Sequence, residues 1–179
     1  MNDYIISDLH LFHKNILDIC DRPFKDLEHM HFQMIEWWNY VVEPEDRVFV
    51  LGDVWFKPEG QFVIKKMNGH KILISGNHDT DYLKYYTAAG FNNIKGAHNY
   101  HCPVTRKRII MTHIPIHEDC LSRWDYNFHG HLHHNVIFHP KYVNVSCEKL
   151  DYRPRLIADL ISNRMELQEQ LKKGIEEDL

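Results

Sequence analysis

Short β-branched and apolar runs alternate with helical patterns along this chain, the signature of a layered α/β fold. Tyr4–Ser7 is an apolar strand candidate that stops at Asp8. Beyond it, Leu27, Met30, Met34, Trp37 and Val41 recur at three- and four-residue steps and predict an amphipathic helix over about Lys25–Val42. Pro23 lies just before that helix, Lys25 or Asp26 sits in its first turn, and Pro44 closes it. Arg47–Leu51 reads as a buried strand stopping at Gly52-Asp53, and a helix over about Glu59–Met67 ends at Asn68-Gly69. His70–Ser75 is the next strand, halted by Gly76-Asn77-His78-Asp79. A helix over about Asp81–Ala89 follows, with Gly90 as its stop.

The second half is richer in strands. Ile94–His98, Tyr100–Val104 and Arg108–Thr112 fit that pattern, with a hairpin turn at Thr105–Lys107. A loop through Pro115 runs to about Trp124, Tyr126–Gly130 and Tyr142–Val145 are further strands, and a helix over about Leu156–Lys173 carries a charged tail. Phe32, Met34, Trp37 and Trp38 are assigned to the core rather than to a base-binding platform. Several strand candidates end in a glycine or serine followed by a carboxylate, amide or imidazole. In α/β sheets, ligand sites gather at the C-terminal ends of strands, so these polar residues are expected to meet in space.

With 179 residues, the chain fits one domain. Its formal charge of −4 argues against coating a polyanion or an anionic membrane through bulk charge. A small phosphorylated substrate such as a nucleotide is compatible with it, because a metal site can neutralise phosphate locally. No apolar run approaches the ~20 residues a membrane span needs, and Met1 leads almost directly into the first strand, so the expectation is a cytosolic protein with no membrane partner. Cys20, Cys102, Cys120 and Cys147 form no CxxC pair and read as reduced thiols. Histidine, at fifteen copies, directs attention to metal chemistry.

Five segments supply candidate ligands: Asp8-Leu9-His10, Gly52-Asp53, Gly76-Asn77-His78-Asp79, Thr112-His113 and Gly130-His131-Leu132-His133. Each alone is a weak signal: Gly52-Asp53 is an everyday turn, and Gly76-Asn77-His78-Asp79 is more pointed. Together, each at an expected strand end, they offer carboxylate oxygens, imidazole nitrogens and an amide oxygen, a set that suits Mn²⁺ first, with Fe, Zn²⁺ and Ni²⁺ also accommodated. The carboxylate of Asp53 has two oxygens and could bridge a pair of cations.

In that order, the set Asp8-x-His10, Gly52-Asp53, Gly76-Asn77-His78-Asp79, Thr112-His113-x-Pro115, Gly130-His131-x-His133 resembles the calcineurin-like metallophosphoesterase superfamily. Ser7-Asp8-Leu9-His10, His13-Lys14-Asn15-Ile16, Arg22-Pro23-Phe24 and the later Val143–Pro154 stretch look like a small bacterial and phage group of predicted phosphoesterases. The resemblance implies a four-layer α/β/β/α sandwich, two mixed sheets flanked by helices. It implies one metal on Asp8, His10, Asp53 and His133, and a second on Asp53, Asn77, His113 and His131. His78 would be the catalytic imidazole, oriented by Asp79, and the attacking group would be a hydroxide bridging the two metals. His13, Arg22 and Arg123 are the candidate substrate contacts, and His129 and His134 are expected to be neighbours of the site. The expected activity is hydrolysis of a phosphodiester or nucleotide. The alternatives are a nuclease, for which Lys65-Lys66 and Arg106-Lys107-Arg108 could form a local patch, and a non-catalytic metal-binding interaction module.

Overall fold

The computed structural model of the chain describes residues 1–80 and 83–177; Asp81, where a helix start is expected, lies outside them. In chain order the elements are β1 (Asp3–Ile6), α1 (Ile16–Ile19), α2 (Leu27–Val41), β2 (Arg47–Val50), α3 (Gly60–Ile64), β3 (His70–Ile74) and α4 (Leu83–Ala88). They continue with β4 (Phe91–Lys95), β5 (Ala97–His101), β6 (Arg108–Thr112), β7 (Tyr126–His129), β8 (Tyr142–Asn144), β9 (Arg155–Leu156) and α5 (Ile157–Glu177). Two mixed sheets flanked by helices result. One has the order β4-β3-β2-β1-β9 and the other β5-β6-β7-β8.

The central strands β1, β2 and β3 run parallel, with Ile5 beside Phe49 and Phe49 beside Ile72. Parallel strands covered on both faces read as continuous apolar runs, and Ile5, Ile6, Val48, Phe49, Val50, Leu73 and Ile74 are all fully buried. The sheets face each other across Phe49 of β2, whose ring lies 5.3 Å from His98 and 5.5 Å from Tyr100 of β5. In the second sheet β6, β7 and β8 are parallel and β5 is antiparallel to β6.

Helix α2 starts where Asp26 caps it, its side chain accepting the His29 amide at 2.8 Å. It buries Met30, His31, Met34 and Trp38, and the Trp38 indole donates to Asn68 O at 3.0 Å. Phe32, expected in the core, is 57% exposed, because it falls off the three- and four-residue stripe that those four residues define.

The expected strand Ile94–His98 is in fact two. Strand β4 closes the first sheet at Lys95, and β5 opens the second at Ala97 after the corner at Gly96. Both strands carry polar residues on their open faces, so alternation could not locate the break. The expected strand Tyr100–Val104 stops at His101, because the Cys102 amide turns to Lys107 O (2.9 Å) and closes the hairpin loop. Cys20, Cys102 and Cys147 are buried, Cys120 is exposed, and all four are free. Among the described residues no helix is long and apolar enough to cross a membrane.

His31 gives the fold a pH dependence. Its Nε2 accepts the Phe12 amide at 3.1 Å, which requires the neutral ring, and burial pushes its pKa down to about 4 from 6.5. Between those values the unfolded chain holds a proton that the folded chain does not, so stability falls as pH drops through this window and is fully present above it. At most about 3 kcal/mol is at stake. A His31→Gln variant keeps an acceptor that does not titrate. Urea unfolding of this variant from pH 4 to 7 is expected to show a flatter pH profile than the parent; identical profiles would contradict the assignment.

Candidate metal centre

The five segments do converge. Asp8 and His10 follow β1, Asp53 follows β2, Asn77, His78 and Asp79 follow β3, His113 follows β6, and His131 and His133 follow β7. Backbone bonds lace the loops together: Asp8 N donates to Gly52 O at 3.1 Å and His10 N to Asp53 O at 3.0 Å. Asp8, His10, Asp53, His131 and His133 all have positive φ, between 48° and 67°. L-residues adopt this conformation at a cost on the order of 1 kcal/mol each, and it persists only where surrounding structure enforces it.

The glycines of the motifs make room for carboxylates. A Cβ on Gly130 would collide with Ser7 Oγ and Asp8 Oδ2, and one on Gly76 with Asp53 Oδ1. One on Gly52, already at φ +83°, would sit 2.8 Å from His113 Nδ1.

Three groups of side chains have ligand atoms within 4.8 Å of one another: Cys20–His133–Glu148, and the two that the motifs supply, Asp8–His10–His133 and Asp53–His113–His131. Asp53 Oδ2 joins the two motif groups, 3.7 Å from His10 Nε2 and 3.3 Å from His113 Nε2. His113 Nδ1 donates to Leu51 O at 2.6 Å, which leaves Nε2 aimed at Asp53 and at Asn77 Oδ1, 3.1 Å away. His10 Nε2 is buried with no hydrogen-bond partner and stands 3.8 Å from Asp8 Oδ1. Atoms that each bind one transition-metal ion at about 2.1 Å stand about 3–4 Å apart. The unpartnered His10 nitrogen and these spacings therefore fit a divalent cation in each motif group. Burial alone would raise the Asp8 and Asp53 carboxyls, but the imidazoles beside them hold both below the usual carboxylate range. Against burial, which opposes it, Asp53 and Asp8 draw His113 up to about 9.

His78 is exposed at the rim, its amide donating to Asp53 Oδ1 at 3.1 Å. Its ring packs on Phe56 (centroids 4.7 Å apart), and Phe56 also stacks on His13 (4.0 Å). His13 Nδ1 lies 3.3 Å from His10 Nδ1, so His13 does reach the edge of the cluster. Phe56 went unread because nothing in the sequence separates it from the aromatic core residues.

Asp79 does not take the role the resemblance implies. It is fully buried, and its oxygens accept the amides of Asp53 (2.8 Å), Val54 (3.1 Å) and Gly76 (2.7 Å) and the Tyr86 hydroxyl. It clamps two ligand loops together instead of orienting His78.

Arg22 is likewise no substrate contact. It is 4% exposed, donates to Leu9 O (2.8 Å) and Asp8 O (2.7 Å), and pairs with Glu148 at 2.7 Å. Glu148, which the sequence reading missed, also accepts from His133 Nδ1 at 2.9 Å. Burial would raise its carboxyl, but His133 and Arg22 pull it down to about 2. Arg123 is exposed at the end of a 3₁₀ turn, Glu118–Arg123. Neither His129, which bonds Gly130 O at 2.9 Å, nor His134, which bonds Cys20 O at 2.7 Å, belongs to a ligand group among the described residues. Beside Asn77 and His113 an open groove of about 350 Å³ runs past Ser75, Gly96, Thr112 and Ile114.

No protein-family model matches the chain. Over 174 residues it is 30% identical to the uncharacterized protein MJ1445 of Methanocaldococcus jannaschii, covering 91% of this chain and 90% of that protein. A shorter likeness, 35% over 83 residues, links it to the Gene 66 protein of Mycobacterium phage L5, covering 44% of this chain and 40% of the phage protein. Among solved structures, the protein of unknown function AQ665 from Aquifex aeolicus superposes with a TM-score of 0.72 at 26% identity, covering 90% of this chain and 98% of its own. A novel archaeal phosphodiesterase shares the fold at a TM-score of 0.51 and 18% identity, with 82% of each chain covered.

Proposed function

The chain belongs to the family of the uncharacterized Methanocaldococcus jannaschii protein MJ1445, and we propose that it is a phosphoesterase of the calcineurin-like kind, working with two divalent metal ions on a phosphodiester or nucleotide. The observation that carries this reading is the position of Asp53 Oδ2 between His10 of one ligand group and His113 of the other. Asp8, His10, His133 and Asp53 would hold one ion; Asp53, Asn77, His113 and His131 would hold the other. With no thiolate among the donors, Mn²⁺ is the first choice, ahead of Fe, Zn²⁺ and Ni²⁺. Bound there, the ions would neutralise a phosphate and make a water between them acidic enough to supply the attacking hydroxide.

The remaining work falls to side chains. His78, exposed beside the ligand groups and held by Phe56 and by the hydrogen bond its backbone amide donates to Asp53, can donate a hydrogen bond to a phosphate oxygen and a proton to the leaving alkoxide. His13, stacked on the same Phe56 ring, can contact the phosphate from the rim. The groove past Gly96 leaves space for an ester group. Lys107 and Arg108 lie within 4 Å of Asp125 (3.5 and 3.9 Å), so the basic run that a nuclease would use is partly neutralised.

The test is hydrolysis of bis-p-nitrophenyl phosphate and p-nitrophenyl phosphate by Mn²⁺-loaded protein. The diester is expected to be cut faster. His78→Ala should lower kcat by about 10²–10⁴-fold while leaving the bound Mn²⁺ unchanged. A loaded wild type that turns over neither ester would overturn the proposal.

A further inference from the structure

We infer that Glu148 is a positioning residue for the metal centre: held by Arg22, it fixes the orientation and tautomer of His133 so that Nε2 faces the ion of the Asp8–His10–His133 group. The inference rests on the two-ion reading and adds to it a residue that no ligand motif contains.

The geometry is specific. Glu148 Oε1 accepts from His133 Nδ1 at 2.9 Å, and its side chain is fully buried. A ring that donates from Nδ1 presents a bare Nε2 lone pair, here 4.0 Å from Asp8 Oδ1. The same Oε1 accepts from Arg22 Nε (3.0 Å) and Nη2 (2.7 Å), so the carboxylate cannot swing away. Arg22 in turn donates to the carbonyls of Asp8 and Leu9, and the Cys147 amide beside Glu148 donates to Ser7 O at 2.9 Å. One buried ion pair thus ties two ligands of the same group, Asp8 and His133, which lie on loops of different sheets. Among the described residues, no carboxylate accepts from the Nδ1 of a histidine in the other group. The Nδ1 of His113 rests on a neutral acceptor, the Leu51 carbonyl at 2.6 Å. Loss of Glu148 should therefore weaken one ion and spare the other.

The obvious competing role is structural, since removing one partner of a buried pair exposes the other to an uncompensated environment. Replacing both partners separates the two roles. Arg22→Met combined with Glu148→Leu removes both charges together and is expected to fold. Mn²⁺ titration by calorimetry, with thermal unfolding of the metal-free proteins as a control, reads the result. The wild type is expected to bind two Mn²⁺. The folded double variant should bind one of them about 10–100-fold more weakly and the other unchanged. Glu148→Gln, which keeps an oxygen for His133, should fall between. A double variant that binds both ions with wild-type affinity would overturn the inference and leave the proposed function standing. A wild type that binds no Mn²⁺ would overturn both.

Discussion

Replacing Asp53 by Asn is expected to abolish metal-dependent phosphoesterase turnover, lowering kcat/KM by about a thousandfold or more, or about 4 kcal/mol of transition-state stabilisation. The expectation follows from the position of one oxygen atom. Asp53 Oδ2 lies 3.7 Å from His10 of one ligand group and 3.3 Å from His113 of the other, while Oδ1 accepts the amide of His78. An amide at this position is uncharged and offers one oxygen where the site uses two, so it cannot balance two cations at close range. The backbone of residue 53 is held separately, through its amide to Asp79, so the loop should survive the substitution. Steady-state kinetics with Mn²⁺, alongside metal analysis, checks this. A variant that retains both metal and turnover would show that Asp53 is not the shared ligand.

The second large effect is on stability. Asp79→Ala removes the acceptor for three buried amides, those of Asp53, Val54 and Gly76. Each buried donor left without a partner costs about 1–3 kcal/mol, so the metal-free protein should lose about 3–5 kcal/mol and about 10 °C in Tm. His78→Ala, at an exposed position, should leave Tm within about 2 °C of the parent. A residue that merely oriented a catalytic imidazole would behave in the opposite way. Asp79→Ala would then keep its Tm and copy the kinetic defect of His78→Ala. Thermal unfolding of both variants without metal separates the two roles.

Asp79 shows where reading the sequence reaches its limit. The motif Gly76-Asn77-His78-Asp79 places the carboxylate next to the imidazole along the chain, but after a strand end neighbouring residues leave in different directions. Asp79 turns inward to the amides of β2's loop, and His78 turns out to solvent. The inward turn of Arg22 is hidden from the sequence for a related reason. A guanidinium in a loop reads as exposed, and its partner Glu148 lies 126 residues away, with nothing local to mark the pair. Residues that bind through their own segment were legible: strands β1, β2, β3 and β6 appear within a residue or so of their expected limits, because their apolar runs are local signals, sharpened after β2 and β3 by Gly52 and Gly76. The convergence of Asp8, Asp53, His113, His131 and His133 was also foreseeable, since parallel strands bring their C-terminal ends together. Partners set only by tertiary packing, such as Glu148 for His133 and Phe56 for His13 and His78, leave no pattern to read. The corner at Gly96 escaped for want of contrast, because the residues around it are polar on both sides of the turn.

The proposed chemistry needs two cations held through a single carboxylate. Crystals grown with Mn²⁺ and measured at the manganese absorption edge would address it most directly. Two anomalous peaks about 3.5–4 Å apart, one on each side of Asp53 Oδ2, are the expected result. A single peak that Asp53 does not touch, or no peak among Asp8, His10, His113, His131 and His133, would contradict it.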